Sequence, residues 1–362
     1  MVINNRSNER KCNVKQFSIL QSLVLIPIVV FSSFFSTCDD EPSNPPPNPI
    51  DSTSHSFVFF TDTLGGKLSW VNDVFCLSET EAYAVGLFYV RDSTGKVIDS
   101  LTCNFARWDG VKWTLERVNP KFNGMQTFSE LYTVFALSLN DVWISPATHW
   151  DGQKWTAYDV NIIATGMTRK IWFRKSNDVW FAGENGSIMH WDGERFVRKG
   201  EITTAANFDI WGWKDTICVA VTDFDRQSSS PGYIIKIVNR TVVGKDLISD
   251  GGMDAIWGMD GVWYTAGCSG IHKKTGGEWK MIREFERCYT DIRGTALNNV
   301  FIGMELAKLI HYNGSTWAEI HPFETSGLFD PGGLSVVGRA VFFAGSINRY
   351  AIVYRGYQQP IK

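Results

Sequence analysis

A basic surplus is the first thing this sequence lacks. Its 35 Lys and Arg residues are outnumbered by 38 Asp and Glu, for a formal net charge of -3 over 362 residues. Nucleic-acid binding rests on a concentrated positive footprint that displaces phosphate counterions, so no nucleic-acid partner is expected. Histidine is scarce, at six residues, and none falls in a His-Glu-x-x-His pair. Gly-x-Ser-x-Gly and phosphate-loop patterns are missing as well, which removes the common hydrolase and nucleotide-binding signatures. Cysteine is sparse. Beyond Cys38 there are Cys76, Cys103, Cys218, Cys268 and Cys288, with no Cys-x-x-Cys pair, so no zinc site is expected. Five is odd, so at least one thiol stays free even where disulfides form. Scattered cysteines in a large domain read first as small core residues, ahead of a Cys268–Cys288 bridge.

What is present begins with an export signal. Arg6, Arg10, Lys11 and Lys15 precede an apolar run from Phe17 to Phe35, followed by Ser36, Thr37 and Cys38. A basic stretch, an apolar segment and a small-residue site form the signal-peptide pattern. A cysteine directly after it resembles the bacterial lipobox, in which that cysteine is lipidated and becomes the mature N-terminus. Phe35 and Thr37 depart from the usual residues of that pattern, and an uncleaved membrane anchor is the alternative. Asp39, Asp40 and Glu41 and the spacer Pro42-Ser-Asn-Pro-Pro-Pro-Asn-Pro49 follow. A proline-rich spacer suits a stalk that holds a domain off a membrane. The acidic start resembles surface-export signals of Bacteroidetes-type lipoproteins. The expected division is a signal peptide at 1–37, a lipidated Cys38 with its tether at 38–54, and a folded domain at 55–362.

The folded part is repetitive, and repeats decide architecture before anything else does. Asn140-Asp-Val-Trp143 recurs as Asn177-Asp-Val-Trp180, with weaker copies at Asp260-Gly-Val-Trp263 and Asn298-Asn-Val-Phe301. A second motif follows: Arg107-Trp-Asp-Gly110, His149-Trp-Asp-Gly152, His190-Trp-Asp-Gly193 and His311-Tyr-Asn-Gly314, each with an aromatic three residues on. A third precedes the first: Ile171-Trp172, Ile210-Trp-Gly212, Ile256-Trp-Gly258 and Ile292-Arg-Gly294. The residue that ends the first motif falls at 83, 143, 180, 218, 263, 301 and 342. The spacings are near 40 residues once the insertion around Arg91–Gly95 is allowed for, which is the period of four-stranded propeller blades.

Each motif has a place in such a blade. The Ile-Trp segment is the innermost strand and the Val-Trp segment the second. Asn-Asp and Asp-Gly are turns, because Asn and Asp bond their own backbone and glycine reaches positive φ. Blades pack on both faces, which accounts for 15 Trp and 24 Phe as packing residues. The reading is an all-β, seven-bladed β-propeller, six blades being the alternative. Ser56-Phe-Val-Phe-Phe60 is expected to pair with the last blade and close the ring, since an open ring exposes strand edges.

The Ile-Trp-Gly, Asn-Asp-Val-Trp and His-Trp-Asp-Gly-x-x-Trp series resembles a family of bacterial secreted β-propeller lipoproteins with Trp-rich repeats, over roughly residues 69–355. The hairpin is also similar in placement to the Asp-box of sialidase-like propellers, but its Trp precedes the Asp and the Thr-Trp pair is missing. A likeness to glucan-binding aromatic repeats is compositional.

Candidate function is sought at the channel mouth. Histidines that recur once per blade read as structural. The residue before each inner-strand Ile or Val should lie near the axis: Asp73, Thr133, Lys170, Asp209, Ala255 (with Asp254 beside it) and Asp291. Clustered carboxylates there suit a cation, with Ca2+ the one cofactor considered, or sugar hydroxyls or a basic peptide. The alternative is a ring of solvated strand starts. Insertions at 91–99, 119–129 and 224–232, with Phe122, Phe128 and Phe224, offer a second surface. The expected function is a monomeric, non-catalytic binding module of the bacterial cell envelope, at the outer membrane or cell surface, or facing the periplasm. The membrane is held through the lipid anchor, and the ligand is a polysaccharide or an envelope protein. A carbohydrate-active enzyme and an envelope-assembly scaffold are the alternatives.

Overall fold

The computed structural model describes residues 52–160, 164, 166–199, 205–222, 230–249, 251–284, 288–320 and 329–361. The signal segment, Cys38, the tether as far as Asp51, Phe224 and His321 lie outside the described residues.

Seven four-stranded antiparallel sheets make a seven-bladed β-propeller. The innermost strands are Trp70–Ser78, Val134–Ser138, Thr168–Lys175, Ala206–Trp213, Met253–Met259, Tyr289–Ala296 and Phe329–Val337, which define blades 1 to 7 in chain order. Six blades run from inner to outer strand along the chain. Blade 7 instead takes its outer strand, Phe57–Leu64, from the start of the described chain. That strand pairs with Tyr350–Gln358 from Phe57↔Gln358 to Leu64↔Ala351. Phe57 and Phe59 pack against a core containing Phe329, Phe343 and Tyr354. Asp62 accepts hydrogen bonds from Arg355 and, at 2.9 Å, from Trp113 Nε1 of blade 1, so the closing strand also ties the last blade to the first.

The motifs act locally in the way their residue types dictate. In the Asp-Gly turns, Asp109, Asp151 and Asp192 each accept two backbone N–H bonds from residues two and three positions on. The glycines that follow, Gly110, Gly152 and Gly193, sit at φ of +89°, +92° and +103°, where a side chain would be strained. The Asn-Asp-Val-Trp and His-Trp-Asp-Gly motifs recur together because they pair. Trp143 faces His149, Trp180 faces His190 and Phe301 faces His311 across neighbouring strands, with ring centroids 4.3–4.5 Å apart. Each imidazole then reaches the polar residue that opens the second strand: Asp141 at 2.9 Å, Asp178 at 2.7 Å and Asn299 at 2.8 Å.

The glycine of Ile-Trp-Gly has a separate cause. A Cβ at Gly212 would lie 2.3 Å from the indole of Trp172 in the preceding blade, and one at Gly294 would lie 2.7 Å from that of Trp257. At these two positions the Trp of one blade therefore seats on the glycine of the next, whereas a Cβ at Gly258 would meet Trp263 of its own blade at 2.4 Å. Asp178 is the most heavily bonded of these motif residues. Burial works against its charge, but the His190 hydrogen bond and the charges of Arg240 and Arg174 outweigh it and hold its carboxyl at about 2.

Closure also carries a pH signature. His55, just before the closing strand, lies with its Nδ1 2.9 Å from Nδ1 of His311 in blade 6. Burial, and then the His55 charge, push His311 down to about 3. A histidine whose folded pKa is depressed contributes stability that is complete above its unfolded value, near 6.5, and is lost as pH falls below it. Between pH 7 and pH 5 this group should remove roughly 2 kcal/mol of unfolding free energy. Urea unfolding of the parent and of His311→Gln at both pH values checks it: the variant should have a shallower pH slope, and equal slopes would refute this assignment.

Candidate functional site

The inner strands place one layer of charge across the channel. Asp73, Asp209 and Asp291 are 3%, 1% and 2% exposed. Each accepts the amide of its own next residue: Val74 at 3.0 Å, Ile210 at 2.9 Å and Ile292 at 2.8 Å. Each also accepts an amide from the next blade: Val134 at 3.2 Å, Ile256 at 2.8 Å and Leu334 at 3.1 Å. Thr133 adds its hydroxyl to Asp73 at 2.8 Å. These aspartates thus staple blade 1 to 2, 4 to 5 and 6 to 7.

Their remaining valence goes to two cations. Lys170 Nζ spans Asp73 at 2.8 Å and Asp291 at 3.2 Å. Arg293 forks onto both oxygens of Asp209 at 2.8 Å and reaches Asp291 at 2.8 Å. Burial disfavours both cations, yet the surrounding aspartates raise the pKa values of Lys170 and Arg293 above their ordinary ones. Burial also raises the Asp209 carboxyl, against the pull of Arg293. Among the described residues, no group of three or more His, Cys, Asp or Glu is placed to hold a metal ion.

Asp254 belongs elsewhere. In blades 1 and 3–7 the register of the inner strand shifts by one residue just before the charge layer. A β-bulge of this kind re-aims a side chain. The residues so placed are Asn72, Arg169, Phe208, Asp254, Thr290 and Gly332, and Tyr132 is their counterpart in blade 2. All seven, one from each blade, line a single cavity of about 710 Å³ at this mouth of the channel. Lys170 lines it too, as well as a smaller cavity of about 250 Å³ that also takes in Phe75, Phe135 and Trp211. The ionic layer therefore separates two chambers.

The seven positions are chemically unequal. Asn72 donates to Glu130 at 2.6 Å and to the Leu131 carbonyl at 2.8 Å. Arg169 pairs with Glu184 and lies 5.8 Å over the Tyr132 ring. Among the described residues, Asp254 has only the Thr222 hydroxyl, 3.2 Å from its Oδ1, and that single proton is shared with the Met253 carbonyl at 3.0 Å. Burial pushes the Asp254 carboxyl up to about 6, with Thr222 alone opposing. The hydroxyl of Thr290 is buried and has no hydrogen-bond partner among the described residues.

At the rim, Cys268 and Cys288 form a disulfide that joins a turn of blade 5 to the chain entering blade 6. The core role expected first for these cysteines therefore does not hold for Cys268 and Cys288. Cys76 and Cys218 do take it, while Cys103 is a free, half-buried thiol. Of the insertion aromatics, Phe122 lines a separate cavity of about 480 Å³ with Tyr132 and Met167, and Phe128 lies beneath the Arg117 guanidinium at 3.6 Å.

No family model matches the sequence, and no curated protein matches it either. Solved structures do resemble it. YCF48 bound to D1 peptide superposes with a TM-score of 0.60 at 12% identity, over 87% of this chain and 99% of that one. Virginiamycin B lyase from Staphylococcus aureus gives 0.60 at 11% identity, over 84% and 100%. The WD40 β-propeller domain of Doa1 gives 0.58 at 14% identity, over 82% and 96%. At such identities the likeness shows the fold alone: this chain is a seven-bladed β-propeller, similar in architecture to proteins with which it shares 11–14% of its residues.

Proposed function

We propose that this chain is an exported binding propeller, held to the bacterial envelope by lipid on Cys38, and that its ligand seats in the mouth built by one residue from each blade. The observation that carries the reading is that cavity: seven positions, equivalent in the repeat, converge on one chamber and differ in chemistry from blade to blade. Packing positions repeat their chemistry, whereas a surface shaped for one ligand does not have to. Binding is favoured over catalysis by where the carboxylates are committed. Asp73, Asp209 and Asp291 hold backbone amides and cations, which commits them to joining the blades. A peptide or protein ligand is supported by the structural likeness to YCF48, which is described bound to a D1 peptide. A polysaccharide ligand is supported by the aromatic rings of Tyr132 and Phe208 among the lining residues. A second reading, glycan cleavage, rests on Asp254, because a carboxyl pushed up to about 6 is what a general acid requires.

One panel separates these readings. The protein is titrated with envelope peptides and polysaccharides, following tryptophan fluorescence, and the mixtures are sampled later for cleavage products. Saturable binding without products is expected, and products would replace the binding reading with the enzymatic one. Anchoring is tested by feeding cells a labelled fatty acid. The parent should carry the label into the membrane fraction and Cys38→Ala should not. Equal labelling of the two would remove the lipoprotein assignment.

A further inference from the structure

We infer that this mouth accepts a cationic side chain, the ammonium of a lysine or the guanidinium of an arginine within a peptide, with Asp254 as its counter-ion. The inference rests on the reading that the mouth is a ligand seat and names what that seat takes. Asp254 is the one carboxylate among the seven equivalent positions. Among the described residues, the other charged groups around the same cavity are Arg169, Lys170, Glu305 and Asp330. Both cations are committed, Arg169 to Glu184 and Lys170 to Asp73 and Asp291. Asp254 therefore has no cationic partner within ion-pair distance among the described residues, although it lies in a largely desolvated wall. A charge held in this way is costly unless something pairs with it.

Its neighbours suit that something. Phe208 stands at the equivalent position one blade before, and an aromatic ring accommodates both the methylene stem and the charge of Lys or Arg. Thr290 stands one blade after, and its buried hydroxyl oxygen, without a partner, can accept an N–H from a group that carries several. A neutral sugar hydroxyl would meet the hydrogen-bonding capacity of this trio but would leave its charge unmatched.

The test is calorimetric titration of the full-length protein in detergent with tetralysine, tetraarginine, tetra(acetyl-lysine) and a chitosan tetramer. Tetralysine and tetraarginine should bind saturably at pH 7.5 and the acetylated peptide should not. Asp254→Asn, which keeps an oxygen for Thr222, should weaken binding at least tenfold. Asp215→Asn, an equal charge change at an exposed site outside the cavity, should leave it unaltered. Among the described residues no histidine lines the cavity, so lowering the pH from 7.5 to 5 should weaken the parent about tenfold as the Asp254 carboxylate is protonated, and should do little to Asp254→Asn. Thermal unfolding of Asp254→Asn at pH 7.5 should show a raised midpoint, which separates lost binding from lost folding. Equal peptide affinity in parent and Asp254→Asn would overturn the inference. Binding of the chitosan tetramer through Asp254 in place of the peptides would overturn the peptide assignment. If a neutral ligand binds in the mouth and the polycations do not, the inference fails while the reading of the mouth stands. If nothing binds there, both fail.

Discussion

Deletion of residues 51–64 is expected to leave a chain that no longer unfolds cooperatively as a monomer. The segment is short, but it supplies the whole outer strand of blade 7, paired residue by residue with Tyr350–Gln358. It also carries Leu64, buried, and Phe57 and Phe59, packed against the blade 6–7 core. A large apolar side chain removed from a buried position such as that of Leu64 costs about 2–5 kcal/mol, and with the half-buried Phe57 and Phe59 and the lost strand pairing the deletion takes a large share of the net stability of an ordinary domain, about 5–15 kcal/mol. Asp62 leaves with them, releasing Arg355 and the Trp113 indole that joins the last blade to the first. The strand Tyr350–Gln358 then presents a long unpaired edge, and such edges associate. Size-exclusion chromatography and thermal unfolding should show oligomers and a broad, non-cooperative transition. Addition of a peptide covering residues 52–65 should restore a monomeric peak. A truncated monomer that melts within a few degrees of the parent would show that closure contributes little.

The repeat made the architecture legible because turn chemistry is local. Asn-Asp and Asp-Gly bend the chain through their own side-chain and backbone properties, and the turn copies at Asn140 and Asn177, and at Asp109, Asp151 and Asp192, recur at about the blade period. The histidines were legible as structural for the same reason: a residue that returns opposite the same aromatic in several blades is packing. The site was less legible, by one residue. Counting one position back from the inner-strand Ile or Val gives Asp73, Lys170, Asp209 and Asp291, which the structure brings together in the ionic layer across the channel. The mouth is lined from two positions back, through bulges that no composition or spacing announces. Because side chains alternate along a strand, one residue is the difference between a blade staple and a group that lines the mouth cavity. A usable signal lay in the repeat itself. The stapling position holds Asp in three blades, while the bulged position holds Asn, Arg, Phe, Asp, Thr and Gly, a variety that packing does not require. The Cys268–Cys288 bridge had no such signal, since its partners meet only once two blades are side by side.

The largest effect of a single substitution should come from Arg293→Met. Arg293 supplies the only cation on Asp209 among the described residues and one of two on Asp291. Three carboxylates face two cations here, and eleven hydrogen bonds from amides, a hydroxyl and the cations reach those carboxylates. Removing one partner of a buried ion pair costs about 3–5 kcal/mol, because the other charge remains without water or counter-ion. Arg293→Lys should recover only part of that loss, since an ammonium cannot reproduce the fork onto both oxygens of Asp209.

The pH dependence fixes the cause. Burial raises Asp209 in the parent against the pull of Arg293, and without Arg293 that rise must grow. A carboxyl whose folded pKa is raised contributes stability that is complete below its unfolded value and is lost as pH rises through the folded one. The gap between parent and Arg293→Met should therefore be widest at pH 8 and narrow towards pH 5, as Asp209 in the variant takes up a proton. Urea unfolding at those two pH values measures it. A gap under about 1 kcal/mol, well short of the cost of an unpaired buried charge, would mean that the layer is wet enough to tolerate a bare carboxylate. A large gap that ignores pH would mean that Arg293 acts through packing on Trp211, whose ring it overlies at 5.3 Å, rather than through its charge.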